Sequence, residues 1–412
     1  GAIGLPVVSY ALPALIAIGH ARWRNAPPAW WNPLRWLRAM LWPRVRPMLK
    51  ALQPSTGGYL EATPLTSFVT MALAAAGEKN HPCVPEAVAF LTRSMRADGS
   101  WPIDTNLATW GTTLAVKALG EIEPATADWL LSQQYLEVHP FTNAAPGGWA
   151  WTDLPGGVPD ADDTSGALIA LKLAGEGNSK FEVRNSRPKE PCPRSAIRNP
   201  QSAIAWLLNL QNRDGGIPTF CRGWGALPFD RSTPEITAHA LLAWWLWDVE
   251  ELRPRVRDAT ARALDYLAKT RRADGSWAPL WFGNEHVHEE ENPVYGTAMV
   301  VGCLSAQPAL AEQARVLIKG GAAFLLKAQR EDGGWGGAGD APASIEETAV
   351  AVNALASQGG HHRDAVQRGV SWLVSATQGG AHFPPSPIGL YFARLWYHER
   401  LYPVVWTLQA LR

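Results

Sequence analysis

Three carboxylates lie within four residues of one another, at Asp160, Asp162 and Asp163, directly before a run of small and apolar residues. Burial and mutual repulsion raise the pKa of carboxyl groups, by up to ~3–5 units for fully buried groups. The N-terminus of a following helix opposes this rise, but contributes only ~0.3–1 kcal/mol. We therefore expect one of the three to hold a proton at neutral pH and to serve as a general acid.

A simpler interpretation of the cluster is helix capping, because acidic residues favour helix N-termini. Glu235, Glu346 and Glu347 also precede threonines that open apolar segments. Capping alone does not require three aspartates in four positions. We therefore keep catalysis as the hypothesis and capping as the alternative.

A repeat predicts the elements that position this cluster. Each copy combines an apolar pair, often a glutamine about one turn later, and a glycine-rich turn that ends in an aromatic residue. The clearest copy runs from Phe324 through Gln329 to Trp335, and the copies begin at residues 48, 90, 129, 206, 266, 324 and 372. A core of roughly forty residues that tolerates insertions is typical of a repeat array. The largest insertion surrounds 174–200, where charged and proline-rich sequence predicts an exposed loop.

A second segment follows the turns, opening with threonine and continuing through Ala, Val and Leu. Examples begin at Thr237 and Thr348. No stretch alternates convincingly between polar and apolar residues, so strands are not indicated. The pattern predicts an all-α fold of helix pairs, with the small, apolar second helices forming the inner ring of an α/α barrel.

The repeats resemble the QW motifs of squalene–hopene cyclases and related class II terpene cyclases, and the Asp160-Ala-Asp-Asp163 segment resembles their DxDD motif. The resemblance implies a complete catalytic barrel at 104–412 and part of a second barrel at 1–103, with the N-terminal part of that second barrel missing. It also implies an activity, in which a terminal alkene of squalene or a similar polyprene is protonated. The resulting carbocations then close rings to give a hopanoid-type triterpene.

The resemblance also implies roles for individual residues. Asp162 matches the family's proton donor, with Asp160 and Asp163 tuning and orienting it. His239 stands where the family has a histidine that pairs with the acid. Glu235, one turn earlier on the same helix face, is expected to hold that imidazole protonated.

Aromatic faces stabilise a carbocation without quenching it, by ~0.5–2 kcal/mol each. By family position, the residues expected to line the cavity are Trp110, Trp151, Phe220, Trp281 and Tyr397. Tyr295 is expected in a hydrogen-bond or water network behind the acid. The tryptophans that end repeats are expected instead to brace outer helices; these are Trp101, Trp149, Trp277 and Trp335.

Two regions depart from the family pattern. Leu390 and Arg394 stand where the family has aromatic residues, so either Arg394 points away from the cavity or cyclisation ends differently. The loop at 282–294 is longer and more acidic than the family suggests. Its His286 and His288 could ligate a metal, but we interpret the loop as solvated, since neither the chemistry nor the resemblance requires a metal or an organic cofactor.

Cations dominate the chain before its first acidic residue, Glu61, and they are interspersed with tryptophans. A helix beginning near Pro33 would place Leu34, Leu37 and Leu41 on one side. Trp prefers membrane interfaces and Arg attracts anionic lipid. We therefore predict a monotopic membrane anchor near 30–45, on the cytoplasmic face of a bacterial inner membrane. The alternative is a linker helix whose tryptophans pack against the domain.

Residues 1–19 carry no charge and just reach the length of a membrane span. Pro6 and Pro13 interrupt them, which favours a buried core helix over a spanning helix.

Composition excludes several classes of protein. The 37 Lys and Arg balance the 37 Asp and Glu, so the chain lacks the basic excess of a nucleic-acid binder. Four scattered cysteines do not make a disulfide framework. A chain of 412 residues favours two domains. Two other functions stay open, a diterpene or other isoprenoid cyclase and a non-catalytic toroid that binds isoprenoid lipid, and so does a homodimer.

Overall fold

The computed structural model describes residues 12–140, 142–177, 200–223, 225, 227–390 and 395–412. The α-helices are α1 (Leu12–Asn25), α2 (Pro33–Ala51), α3 (Thr63–Ala75), α4 (Cys83–Ser94), α5 (Ala108–Leu119), α6 (Pro124–Ser132), α7 (Ala161–Gly177), α8 (Pro200–Leu210), α9 (Pro234–Leu246), α10 (Arg253–Thr270), α11 (Pro293–Ser305), α12 (Pro308–Gln313), α13 (Arg315–Ala328), α14 (Ile345–Ala356), α15 (Arg363–Ala376) and α16 (Tyr402–Leu411). Two short antiparallel pairs complete the described part, β1 (Ile217–Pro218) with β2 (Ser232–Thr233) and β3 (Ile388–Leu390) with β4 (Leu395–Tyr397). The prediction of an all-α fold is confirmed.

The chain divides into two compact units. Unit 1 contains Gly1–Ala108, Glu137–Ala145 and Ala150–Pro159, and unit 2 contains the remainder. The division between the units falls at 108/109, five residues from the predicted boundary at 103/104, and two later segments return to unit 1. Hydrogen bonds hold the second of these segments, Ala150–Pro159, in unit 1. Gly156 N donates to Glu61 Oε1 at 2.9 Å, and Asn106 Nδ2 donates to Asp153 Oδ1 at 3.1 Å. These segments lie outside the repeat, so its periodicity did not indicate them.

Six helices in the described part of unit 2 form a closed inner ring. Helices α7, α9, α11, α14 and α16 each pack against the next. Helix α5 closes the ring, since Trp110 Nε1 donates to Tyr402 Oη of α16 at 2.8 Å. On its other side Thr113 lies against Gly166 of α7, where a Cβ would come within 3.0 Å of the threonine hydroxyl. Small residues allow this close approach, as the sequence pattern predicted.

Outer helices cover the ring with one face only. Helix α13, for example, packs on α11 and α14, and α15 packs on α14 and α16. In α15 the buried residues are Ala365, Gly369 and Leu373, at the i, i+4, i+8 spacing of a single apolar stripe. By contrast, α9 is buried continuously from Pro234 to Trp244. This difference separates the two layers.

The repeat turn has a structural explanation. Trp335 Nε1 donates to the carbonyl of Leu325, in the last turn of α13, at 2.7 Å. Gln329 Nε2 donates to Gly333 O within the turn and to Ala365 O of the next outer helix, both at 2.9 Å. The turn therefore ties one outer helix to the next.

The other copies of the repeat use the same bonds. Trp277 Nε1 donates to Leu267 O at 2.8 Å, and Gln211 Nε2 donates to Gly215 O and Ala259 O. Trp149, Trp277 and Trp335 are at most 1% exposed, so they brace outer helices as expected. Trp101 makes the equivalent bond to Leu91 O at 2.7 Å but is 48% exposed.

A second bond of the repeat reaches the inner ring. In four inner helices, α7, α9, α11 and α14, a threonine near the helix start accepts the backbone N–H of the residue that ends the turn. Trp149 N, Ile217 N, Trp277 N and Trp335 N donate to Thr164, Thr237, Thr297 and Thr348 Oγ1, respectively, at 2.9–3.0 Å. We call these residues the repeat threonines. Because each one makes the same bond, residues at the same distance from a repeat threonine occupy equivalent positions in their inner helices.

In unit 1, helix α1 packs against α3 with only one face. Ala14, Ala17 and His20 are buried, whereas Leu15 and Ile18 are 56% and 45% exposed. The expected buried core helix is therefore amphipathic in its described part, and residues 1–11 of the apolar stretch lie outside the described residues. Among those described, no helix has the length and hydropathy needed to cross a bilayer.

Carboxyl groups are buried at the starts of inner helices. Burial raises the pKa of Glu235 in α9 and of Glu346 in α14 to about 7, although each accepts a backbone N–H. Leu280 N donates to Glu235 Oε1 at 3.0 Å, and Ser386 N donates to Glu346 Oε1 at 2.8 Å. Each of these side chains therefore holds a loop against the ring.

Replacing Trp335 with Phe should lower the free energy of unfolding by about 1–3 kcal/mol, because a buried last-turn carbonyl loses its donor. Urea unfolding followed by circular dichroism measures the change. Trp101→Phe is the matched control, and it should have a smaller effect because water can reach Leu91 O. Equal losses for the two variants would contradict the bracing role.

Replacing Glu346 with Gln should make the chain relatively more stable as the pH rises. The raised pKa means that the folded chain holds a proton that the unfolded chain has released, so wild-type stability falls from about pH 4.5 to about pH 7. The variant lacks this proton and should gain about 1–3 kcal/mol over wild type across that range. Thermal unfolding at several pH values measures the difference, and a pH-independent difference would refute the assignment.

Candidate active site

Asp160 caps α7 and is fixed by backbone bonds. Its Oδ1 accepts Asp163 N at 2.8 Å, its own N–H donates to Trp149 O at 2.9 Å, and its carbonyl accepts the repeat hydroxyl of Thr164 at 2.5 Å. The next residue, Ala161, donates its N–H to Thr219 O at 2.7 Å. The capping interpretation is therefore correct for Asp160, and capping leaves the other two carboxyl groups free for further roles.

The three aspartates differ in accessibility. Asp160 and Asp163 are 3% and 5% exposed, whereas a quarter of the Asp162 side chain is accessible. A proton donor has to touch the atom that it protonates, so Asp162 is the member of the cluster that can meet a substrate.

Burial changes the protonation of the two hidden carboxyl groups. It raises the pKa of Asp160 to about 7, and it raises the pKa of Asp163 well above its usual value, with the neighbouring Asp160 charge adding to the rise. The backbone N–H that Asp163 donates to Asp160 Oδ1 lowers the pKa of Asp160, so the pKa values of the two groups are further apart. Asp163 therefore keeps its proton at neutral pH.

His239 lies against the accessible aspartate, as the family pattern implies. Its Nδ1 is 2.6 Å from Asp162 Oδ1, and its side chain is only 2% exposed. Burial lowers the pKa of His239, and the charge of Lys117 lowers it further, while Asp162 opposes both effects. The expected permanently protonated imidazole is therefore disfavoured by its surroundings.

The expected role of Glu235 is wrong. Both ring nitrogens of His239 have other partners, Asp162 at Nδ1 and Lys117 Nζ, 3.3 Å from Nε2. Glu235 instead accepts Leu280 N. The buried carboxyl group of Glu235 needs a hydrogen-bond donor, and the backbone N–H of this loop lies within reach. The side chain is therefore directed to the loop.

Lys117 was missed by sequence reasoning. It lies on α5 seven residues after Trp110, and its Nζ is 6.0 Å from the centre of that indole ring. The signal available in the sequence is a lysine inside the otherwise small and apolar segment Thr113–Leu119. Charged side chains are rarely buried unless they are paired, and Lys117 Nζ lies 3.3 Å from His239 Nε2.

Phe220 and Trp281 come together beside the start of α7. Their rings meet edge to face, with centroids 6.1 Å apart and planes at 85°. Trp281 Nε1 donates to Thr219 Oγ1 at 2.6 Å, and the carbonyl of the same threonine accepts Ala161 N. These two predicted lining residues are therefore fixed to the segment that carries the aspartates.

Tyr295 belongs to a second aromatic group. Its ring lies 4.5 Å from that of Phe282 and 5.7 Å from that of Trp406, which in turn stacks on Tyr402 at 4.6 Å. Burial raises the pKa of Tyr295 well above its usual value, and Asp162 adds to the rise. Phe282, Tyr402 and Trp406 were missed, although Tyr402 and Trp406 lie four residues apart on one face of α16.

The other predicted lining residues are Trp110, Tyr397 and Trp151. Trp110 is buried and bonded to Tyr402, so it joins this second aromatic group. Tyr397 lies in β4 and adds to the raised pKa of both Tyr295 and Tyr402. Trp151 belongs to unit 1, whereas the aspartates and His239 belong to unit 2.

The loop at 282–294 is anchored rather than wholly solvated. Asn284 and Asn292 donate to Glu347 Oε1 at 3.0 and 2.9 Å, while His286 and His288 are exposed. Within the described ranges, no cluster of three His, Cys, Asp or Glu side chains could hold a metal ion. Arg394 and the side chain of Leu390 lie outside the described part, as do residues 178–199 of the predicted exposed loop.

Comparison with known proteins gives consistent matches. The probable squalene–hopene cyclase of Sinorhizobium fredii is 28% identical over 347 residues, covering 74% of this chain and 49% of that protein. The drimenyl diphosphate synthase of Streptantibioticus cattleyicolor is 29% identical over 323 residues, covering 73% of this chain and 52% of that protein. The chain therefore spans about half the length of the curated relatives it matches.

A solved structure, ent-copalyl diphosphate synthase from Streptomyces platensis, matches with a TM-score of 0.55 at 21% identity, covering 99% of this chain and 76% of that one. At this identity the likeness shows a shared fold. The family model described as the squalene-hopene cyclase C-terminal domain matches residues 104–411, the range that contains the inner ring, the three aspartates and His239. The chain therefore belongs to the squalene–hopene cyclase family through this C-terminal domain.

Proposed function

We propose that this chain is a class II terpene cyclase that protonates a terminal alkene of squalene or a similar polyprene and closes it to a hopanoid-type polycyclic triterpene. The observation that carries the proposal is the pair formed by the accessible Asp162 and the buried His239. The matched relatives named squalene–hopene cyclases support this choice of substrate.

The chemistry begins when the O–H bond of Asp162 breaks and its proton joins the alkene carbon, using the π electron pair. The neighbouring carbon becomes a cation, successive alkenes attack it to close rings, and the last cation either loses a proton or gains water and then loses a proton. His239 Nδ1–H donates to Oδ1 of the carboxylate that remains. Asp160 holds the segment at the helix start, and the faces of Phe220 and Trp281 stabilise positive charge nearby.

A second candidate is a cyclase of prenyl diphosphates. The matches to drimenyl diphosphate synthase and copalyl diphosphate synthase favour it. The same acid would serve both substrates, since both contain a terminal alkene. The two candidates differ in the diphosphate, which requires a cationic anchor that squalene does not need.

Asp162→Asn should reduce product formation by about 10²–10⁴-fold, because an amide cannot donate the proton. The assay incubates radiolabelled squalene or geranylgeranyl diphosphate with the full chain and identifies products by gas chromatography. Asp163→Asn is the matched control. It should lose much less activity, because Asp163 is already neutral and the amide preserves its shape.

The substrate that is turned over distinguishes the two candidates. Undiminished activity in Asp162→Asn would defeat the assignment of the acid. Binding of both substrates without turnover by the wild type would favour the non-catalytic toroid.

We also propose that α2 rests on a membrane surface, on the cytoplasmic face of a bacterial inner membrane. Trp36, Met40, Leu34 and Leu37 of this helix are 44–63% exposed, and Trp30 just before it is 70% exposed. Trp42 is different, because it stacks on His20 with centroids 3.4 Å apart and donates to Glu78. Trp42 and the fully buried Leu49 thus fix the helix to unit 1, while the four apolar side chains named above are exposed.

Charge supports a lipid surface as the partner of this face. No acidic residue precedes Glu61, and Arg38 and Arg44 of α2 are exposed. Each cation near an anionic bilayer contributes about 1 kcal/mol. The exposed tryptophans suit the polar–apolar boundary of a bilayer.

Replacing Trp30, Trp36 and Met40 together with Ser should weaken binding to phosphatidylglycerol-containing vesicles by at least about tenfold, because three apolar side chains no longer enter the bilayer. Co-sedimentation measures the binding. Val316→Ser is the control, since Val316 is 71% exposed on α13 and should leave binding unchanged. Equal sedimentation of all variants, or none with the wild type, would refute the membrane role.

A further inference from the structure

The acid pair continues to a third side chain. Asp162 Oδ1 is 2.6 Å from His239 Nδ1, and His239 Nε2 is 3.3 Å from Lys117 Nζ. The three residues lie on α7, α9 and α5, which are neighbours in the inner ring. Burying an amine among small, apolar residues costs free energy unless it has partners, so the position of Lys117 requires a reason.

The contact between Lys117 and His239 determines where the positive charge resides. Nζ and Nε2 cannot both donate to each other, so one proton lies between them. An ordinary lysine ammonium holds its proton to a pH about four units higher than an imidazolium does. Burial lowers the pKa of both groups, and the neighbouring Asp162 opposes that lowering at both. Lys117 therefore carries the charge and donates to Nε2, and His239 is neutral with its proton on Nδ1.

We propose that Lys117 is a positioning residue for the acid, which fixes the Nδ1–H tautomer of His239 and supplies, through that ring, the positive charge that stabilises the Asp162 carboxylate after proton transfer. The inference rests on the proposed function for its kinetic consequence. Its geometric part, the charge and tautomer of the relay, does not depend on any substrate.

Proton and charge balance are simple in this arrangement. The Asp162 O–H bond breaks, the alkene gains the proton, and the new carbocation balances the new carboxylate. No proton moves along the relay, because Lys117 and His239 only strengthen the hydrogen bonds that they already donate. The relay also keeps the full positive charge one imidazole ring away from the carboxyl group, so it repels the nascent carbocation less than an adjacent imidazolium would.

The other groups that face Lys117 fit this role. On its own helix the indole of Trp110 lies at 6.0 Å, and from α11 it faces Cys303. Burial raises the pKa of Cys303 to about 12, so this thiol is neutral. Asp163 keeps its proton, as described above. Through the ring of His239, Lys117 therefore faces Asp162, the accessible carboxyl group of the cluster.

The test compares Lys117→Met and Lys117→Arg with wild type in the full chain. Lys117→Met removes the ammonium group, so the relay is positive only when His239 binds a proton. An imidazolium releases that proton near neutral pH. The value of kcat should therefore be close to wild type at about pH 6 and at least about tenfold lower at about pH 8, with an unchanged KM. Lys117→Arg retains a cation and should keep the wild-type profile.

A second readout needs no substrate. In protein labelled with ¹⁵N-histidine, wild-type His239 should give the signals of a neutral ring protonated at Nδ1. Lys117→Met should instead give an imidazolium at about pH 6. Lys172→Met is the matched control, because Lys172 is a lysine on inner helix α7 that faces the Trp247 ring at 5.6 Å. It should change neither the spectrum nor the pH profile.

The outcomes separate this inference from the proposed function. An imidazolium at His239 in the wild type at about pH 8, or identical pH profiles for Lys117→Met and Lys172→Met, would overturn the role of Lys117. If the wild type turns over neither substrate, the proposed function fails, and the ¹⁵N spectra still decide the charge and tautomer of the relay.

Discussion

The free-energy cost of keeping charge inside a ring of close-packed helices governs this structure. Burial raises the pKa of Asp160, Glu235 and Glu346 to about 7. Each of these groups accepts a backbone N–H, which recovers part of the lost hydration. The same dry surroundings that make these acids reluctant to ionise are what an acid catalyst for an alkene requires, because water would otherwise compete for the proton and for the carbocation.

The repeat creates these surroundings by holding two layers together. The turn tryptophans and glutamines tie successive outer helices to one another, and the repeat threonines tie each turn to an inner helix. The inner helices can then approach closely, as they do where Thr113 meets Gly166. Positions equivalent in the repeat therefore have equivalent places in the ring.

Much of this could be predicted from sequence, and the failures have physical causes. Periodicity and composition gave the two helical layers, the bracing tryptophans and the aspartate cluster, since those depend on local pattern. Glu235 and Lys117 were misjudged or missed, because their partners come from other helices and are separated from them in sequence. The residues that return to unit 1 were missed for the same reason, since the bond from Gly156 to Glu61 has no local signature.

One position of the repeat has different partners in different inner helices. Asp162, Glu235 and Glu346 each stand two residues before a repeat threonine. At the two glutamates a backbone N–H of a loop donates to the carboxyl group, so the side chain anchors that loop. At Asp162 the partner is His239 instead, and a quarter of the side chain stays accessible. The shorter aspartate side chain and its imidazole partner thus leave the carboxyl group of Asp162 accessible, which is what the proposed function requires of a proton donor.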